Sequence, residues 1–414
     1  MYVMENVLRN YAWGSKTAIA ALLGRVESSR PEAELWLGAH PDSPSSVRTP
    51  DGASVPLNTL ISGNPVRFLG TGSVERFGAR LPFLTKILAA AHPLSLQVHP
   101  SAAQAKAGFD RENAEGLAVD ATNRSYRDDN HKPEMIFALS QFEALCGFRP
   151  PEQTRDILLH VTAAMEAAEA PVPALLSSLI VDLADGNGSS GLKSAFERLI
   201  AGEYPVADNT AMIATALSSG IPLAPFEAEL ETFLSLHRMY PGDPGVLISL
   251  LLNRISLTPG EAVYLPAGNV HAYLSGLGVE VMASSDNVLR GGLTPKFIDV
   301  PELLKTINFQ AVAVPTVSAT TTDLGQELYR TPFEEFQLQR IELGTNSKPI
   351  PLAQSGATVV ITVAGSVLLR SHDEELQLTR GASAFVPAAE GQIHVYPDAV
   401  GGESALAFAI TTGL

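Results

Sequence analysis

Apolar and polar positions along the 414-residue chain fall into three textures. Up to about Arg149, short apolar runs are broken by Gly, Pro, Asn and Asp. "LPFLTKILAA", "PLSLQVHP" and "PEMIFALS" are examples, and they predict strands and turns. From Pro150 to about Tyr240 the spacing becomes helical. Ile157, Leu158, Val161 and Met165 fit one helix face; so do Leu192, Phe196, Leu199 and Ile200, then Leu230, Phe233, Leu234 and His237. After "YPGDPG" a further helical turn or two is expected, ending before Asn253. Strand texture returns at Ile255, where "SLTPGEAVYLPAGNVHAYLSG" carries turn residues every few positions. It continues from roughly Thr322 to Leu414. The helical stretch therefore reads as an insertion in a β-rich chain.

"PLSLQVHP" raises a sharper question. Read as a strand from Pro93 to Pro100, it puts Leu94, Leu96 and Val98 on one face and Ser95, Gln97 and His99 on the other. The second face is an unusual choice for a merely solvated surface.

A weak internal repeat bears on the fold. "PGEAVYLPAGNVHAY" at Pro259–Tyr273 resembles "RGASAFVPAAEGQIHVY" at Arg380–Tyr396. Each runs Gly, short apolar strand, Pro-Ala, turn, His. That is the look of a cupin, a double-sheet jelly-roll barrel that holds ligands on inward-facing strand residues.

Composition narrows the function classes. A chain that is 45% hydrophobic and 17% charged is globular. Its net charge of −16 argues against nucleic acid or anionic membrane as partner. A small anionic substrate is still compatible, because local Lys and Arg can dominate one cleft. Residues 151–250 hold 13 acidic and 4 basic side chains, which marks that segment as a separate solvated module. Glu5, Arg9 and Asn10 interrupt the N-terminus where a signal peptide needs an apolar core, and no apolar run approaches a membrane span. Cys146 is the single cysteine, so no intramolecular disulfide forms and a cytoplasmic location is expected.

Most of the nine histidines have bland readings. His92, His160, His237 and His372 lack polar company, His40 sits beside a turn, and His394 has no Gln-x-His partner near it. Gln97 with His99, Glu134 in "DDNHKPEMIF", and His271 in "PAGNVHAY" are individually unremarkable. Together they offer two imidazoles, one carboxylate and one amide oxygen. That set suits a divalent ion of borderline softness such as zinc, with Gln an atypical ligand. Farther on, Glu280, Ser284, Asp286, Asn287, Arg290 and Lys296 crowd one stretch, with Gly291-Gly292 placed to let backbone approach a ligand.

In order along the chain, "NYAWGS", "AELWLGAHP", "LSLQVHP", "DDNHKPEM", "YPGDPGV", "LPAGNVHAYLSG" and "SSDNVLRGGLTPKF" resemble the type I mannose-6-phosphate isomerases. The resemblance runs from about Asn10 to Leu304; beyond it only the cupin texture matches. One departure is Gly291, where many members carry Ala. The resemblance implies one zinc ion on Gln97, His99, Glu134 and His271, and Arg290 as the catalytic arginine. It implies a mainly β fold with an α insertion: two cupin (jelly-roll) barrels plus an inserted helical domain. The metal-binding cupin is expected over 1–149 and 252–321, the helical insertion over 150–251, and a cupin without metal over 322–414. The implied reaction interconverts D-mannose 6-phosphate and D-fructose 6-phosphate through an enediol and feeds GDP-mannose metabolism. Lys132, His131, Asp286 and Glu280 are the candidates for proton transfer, and sequence does not rank them. Ser95, Lys86, Lys132, Lys296 and Glu280 are expected to touch sugar or phosphate. The expected partner is a small phosphorylated sugar, with neither nucleic acid nor membrane, and the expected state is a monomer. Two alternatives carry different chemistry. One is another metal-dependent cupin enzyme, such as an iron oxygenase; the other is a non-catalytic sugar-binding cupin.

Overall fold

The computed structural model describes residues 1–49, 52–184, 186–202, 204–398 and 404–414. Sheets and helices stack in layers, and one long strand, His271–Ala283, ties the central pair together. Its first half pairs with Phe142–Phe148 and, at His271, with Leu96–Val98. Its second half pairs with Phe83–Ala90 on one side and Glu134–Ala138 on the other. Gly276 sits at the changeover with φ +127°, and a Cβ there would lie 2.6 Å from the Phe142 ring and 2.8 Å from the Gln141 carbonyl oxygen. Only glycine allows both that backbone and that close approach.

Strand alternation then assigns each face. Along Phe83–Ala90, Leu88 and Ala90 face inward onto Phe142, Ala144, Cys146 and Tyr273 of the opposite sheet. Phe83, Ile87 and Ala89 face the other way, onto Phe385, Phe408 and Ile410 of the C-terminal sheet. Both faces are buried, so the run is apolar throughout except for Thr85 and Lys86. On the far side, Leu96, Val98, Leu145 and Phe148 pack on helices Pro151–Ala167, Ala174–Asp182, Gly188–Ile200, Val206–Leu217 and Glu227–Met239. The expected helix faces are there: Ile157, Leu158, Val161 and Met165 are buried, as are Phe196 and Phe233. The structure is thus sheet-rich with helices, and among the described residues no strand path closes into a barrel.

The C-terminal sheet runs through Gln337–Leu343, Ala405–Thr411, Thr358–Ala364 and Ser383–Val386, and then takes in the N-terminal strand Tyr2–Glu5. Its outer face packs on a small sheet containing Ser366–Arg370 and His394–Pro397. One expectation fails locally. Residues before Arg149 read as strands and turns, yet Ala18–Leu22, Leu57–Gly63, Pro65–Leu69 and Thr71–Phe77 are short helices and Ala102–Ala114 is a long one. Ser101 and Gln104 close a capping box at its start, a signal that "SAAQ" carries in plain view.

Candidate metal centre and cleft

Four strands place chemistry in one row. Cys146 lies opposite His271, His271 opposite Gln97, and Gln97 opposite Arg290. Directly opposed residues share a sheet face. His99 follows Gln97 by two positions and Glu134 opens its strand, so these arrive on the same interior.

Glu134 stands between the two imidazoles. His99 Nε2 is 3.3 Å from Glu134 Oε1, and His271 Nε2 is 3.3 Å from Glu134 Oε2. The other nitrogen of each ring is committed to backbone: His99 Nδ1 to the Asn287 carbonyl at 2.7 Å, His271 Nδ1 to the Asn269 carbonyl at 3.0 Å. Each Nδ1 therefore carries the proton and each Nε2 presents a lone pair. All three side chains are buried. His99 Nε2, His271 Nε2 and Glu134 Oε2 are buried without hydrogen-bond partners, and the three residues' ligating atoms lie within 4.8 Å of one another. Orphaned buried lone pairs, with backbone carbonyls fixing the rings behind them, fit a divalent cation. Burial lowers the His99 imidazole to about 4 against the pull of Glu134. Burial favours a neutral Glu134, but His99, Lys132 and the imidazole contacts outweigh it and hold the carboxyl well below its usual range. Cys146 is adjacent, yet burial pushes its thiol up to about 12, so it brings no thiolate.

A cleft of about 580 Å³ opens over this row. Ser95, Gln97, Lys86, Lys132, Asp286, Arg290 and Lys296 line it. Leu94 lines it too, rather than joining Leu96 and Val98, because the strand begins only at Leu96 and alternation does not extend back. Lys86 is buried between Glu280 at 3.0 Å and Glu34 at 3.5 Å, with its ammonium 5.2 Å from the Trp36 ring centroid. Burial works against its charge, but Glu280, Glu34 and Glu134 raise its pKa, so it stays charged. Lys132 Nζ is 3.3 Å from Glu134 Oε1. Arg290 is held below its ordinary value by burial and by Arg127; Lys296 by burial, Arg290 and Arg127. Three cations that oppose one another's charge at a cleft wall favour an anion there.

His131 is not brought to the cleft. Just before Glu134, Lys132 reaches Glu134 Oε1, whereas the Nε2 of His131 meets Glu335 Oε1 at 2.6 Å. The reading of Gly291-Gly292 also needs correction. Gly292, at φ +138°, is there because Gly245 backbone presses against it, with a Cβ position 2.8 Å from Gly245 Cα. Asp243 of "YPGDPG" supports the same contact, accepting from the N–H groups of Leu293 at 2.7 Å and Thr294 at 3.1 Å. Residues that the sequence reading passed over also belong to the site. Arg127 and Glu34 line the cleft. His40 is buried with Nε2 3.4 Å from Asp286 Oδ2. Fully buried Asn287 accepts from Arg127 N–H at 2.7 Å and donates to the Asp128 carbonyl at 2.8 Å, joining "RDDN" to "SSDN". Alternation in "ELWLG" was the available signal for Glu34 and Trp36; nothing local marked His40, and Asn287 stood in the polar stretch already singled out.

Known proteins resemble this chain in sequence and in structure. A family model described as phosphomannose isomerase type I, catalytic domain, matches residues 1–151. The mannose-6-phosphate isomerase of Escherichia coli (strain K12) is 38% identical over 403 residues, covering 95% of this chain and 97% of that one. That of Rattus norvegicus is 34% identical over 415 residues, covering 94% of each. A crystal structure of a mutant phosphomannose isomerase from Salmonella typhimurium matches with a TM-score of 0.88 at 34% identity, covering 100% of both chains. A zinc-bound mannose 6-phosphate isomerase structure matches with a TM-score of 0.86 at 35% identity, covering 100% of this chain and 99% of that one.

Proposed function

The chain belongs to the type I phosphomannose isomerases, and on that premise we infer that it is a zinc-dependent enzyme interconverting D-mannose 6-phosphate and D-fructose 6-phosphate. The observation that carries this reading is the set of orphaned ligand atoms on His99, Glu134 and His271, directly beside Gln97 and Lys132 of a cationic cleft. A non-catalytic sugar-binding cupin and an iron oxygenase are both disfavoured by relatives named as isomerases.

His99, Glu134 and His271 would hold the zinc ion, and the Gln97 amide oxygen, opposite His271 in the sheet, would be the fourth ligand. Zinc, when bound, supplies Lewis-acid polarisation and a template for the sugar oxygens. The chain's own residues do the rest. Isomerisation moves a proton between C2 and C1 and builds negative charge on oxygen, so it needs a proton-handling group and an oxyanion partner. Arg290 keeps its charge through burial and stabilises the enediolate. Lys132 and Asp286 line the cleft and handle protons, while Glu280 is committed to Lys86. The Lys86–Glu280 pair offers a fixed donor and acceptor to sugar hydroxyls. Lys296 and Ser95 take the phosphate, supported by the positive field of Arg127.

The two central sheets around the cleft read as the metal-bearing cupin, 1–149 with 252–321. Residues 150–251 are then the inserted helical unit and 322–414 a second cupin without metal. His394, in the repeat of the metal-bearing stretch, lies outside both clusters of metal-type ligands found among the described residues. No helix among the described residues is long and apolar enough to cross a membrane. A cytoplasmic location accords with the reducing-compartment reading of the single, buried Cys146. The test is to strip the purified protein with a chelator, restore single metals, and follow fructose 6-phosphate formation from mannose 6-phosphate. Activity is expected to return with zinc. No isomerisation with any restored metal rejects the assignment.

A further inference from the structure

The strand carrying Glu134 is gripped from behind. Glu134 and Ile136 look into the interior, while Met135 and Phe137 pack on the C-terminal sheet. There the Phe137 ring meets Tyr329 and Phe408 edge-on, each at 5.1 Å between centroids. Three residues upstream, His131 meets Glu335 at 2.6 Å, with side chains 25% and 13% exposed. Glu335 lies in a bend that its neighbours immobilise. Phe336 is fully buried, Phe333 packs edge-on against Tyr264 at 5.7 Å, and Gly413 N–H donates to the Glu334 carbonyl at 2.9 Å. Between these two grips stands Lys132, which reaches inward to Glu134.

We propose that the His131–Glu335 pair is a positioning device, through which the C-terminal region sets Lys132 and Glu134 in the cleft. His131 then touches no substrate; it acts through the backbone it anchors. Pro133 follows directly and disfavours a helical turn at Lys132, so the short link from His131 to Glu134 has little freedom, and a fixed His131 fixes the aim of Lys132 toward Glu134. His131 also keeps the half-buried Glu335 carboxyl below its usual range, against burial, so the anchor stays ionised. The C-terminal region is thereby a brace on the site rather than a separate lobe. This inference rests on Glu134 being a zinc ligand.

The test uses the zinc-loaded full chain carrying Glu335→Ala. Expected is a fall in kcat of roughly 3- to 10-fold with KM for mannose 6-phosphate nearly unchanged, and zinc transfer to a chelator accelerated by a similar factor. Glu335→Gln, which keeps an acceptor for His131, is expected to restore most of both. Glu334→Ala removes the exposed ion pair with Arg76 one residue away and is expected to match the parent. His131→Phe breaks the contact from the other end, so a folding failure of one variant leaves the other to decide. Parent-like kcat and zinc release in the folded variants overturn the brace. A loss confined to His131→Phe also overturns it, since His131 is then catalytic in its own right. Glu134→Ala separates the premise: full zinc retention there rejects the ligand set, whereas zinc loss there beside an inert Glu335→Ala rejects only the brace.

Discussion

Gln97 stands between His271 and Arg290 in the sheet, so under the proposed assignment one strand serves both the metal and the developing charge. The two roles separate experimentally. Arg290→Ala is expected to cut kcat by about 10²- to 10³-fold, the cost of removing one oxyanion partner, with zinc content unchanged. Unaffected turnover in that variant means Arg290 is not catalytic. Gln97→Ala and His271→Ala are expected to lose zinc on dialysis; full metal in both sinks the ligand set. Lys86 presents a different case, because its removal strands buried acids. Lys86→Met leaves Glu280 and Glu34 without their cation and is expected to destabilise the fold by about 3–5 kcal/mol, read as a lower urea midpoint. A midpoint equal to the parent's shows that the pair adds nothing to stability. What the sequence revealed at this scale was residue type: two imidazoles, a carboxylate and an amide with no other use. It could not reveal direction. His131 and Lys132 are neighbours of equal promise in "NHKPE", and only their partners in the fold, Glu335 for one and Glu134 for the other, separate them.

The His271–Ala283 strand is the element on which the cleft depends, since it has partner strands on both sides in each of its two halves. Its bend at Gly276 is where they part. Gly276→Ala must accommodate both φ +127° and a Cβ 2.6 Å from Phe142. We expect a loss of about 2 kcal/mol or more, read as a drop in melting temperature, together with weaker zinc retention. Stability equal to the parent's removes the hinge argument. Elements with strong periodicity were legible in advance. The helix faces from Ile157 to Phe233 and the runs "LPFLTKILAA" and "PEMIFALS" follow directly from spacing. Sheet membership was not legible. Tyr2–Glu5 pairs with Ser383–Val386, with Tyr2 opposite Phe385, and no local pattern encodes a partner so distant. Gly292 was misread for the same reason: its close neighbour is Gly245, brought there by the helical segment.

Across the whole molecule, the layered stack buries titratable groups in a chain whose exposed charge is acidic, and this sets its response to acid. His99 is buried and lowered to about 4, and His40 is also buried and lowered, with burial the largest cause in each. A group whose folded pKa lies below its unfolded value contributes stability that is present above the unfolded pKa and lost as pH falls. For the two histidines the loss begins near pH 6.5. For His99 it continues down to about pH 4 and amounts to roughly 3 kcal/mol. Glu134, held well below its usual range, extends the loss further into acid. Metal-free protein, stripped with a chelator, is therefore expected to show a urea midpoint that falls steadily from pH 7 to pH 4.5. Zinc keeps the same nitrogens deprotonated, so loaded protein is expected to hold its midpoint to lower pH and then lose it more steeply as protons displace the ion. His99→Gln removes one of these titrating groups and is expected to flatten the metal-free profile. A midpoint of the parent that does not change between pH 7 and pH 5 contradicts this account of the buried site.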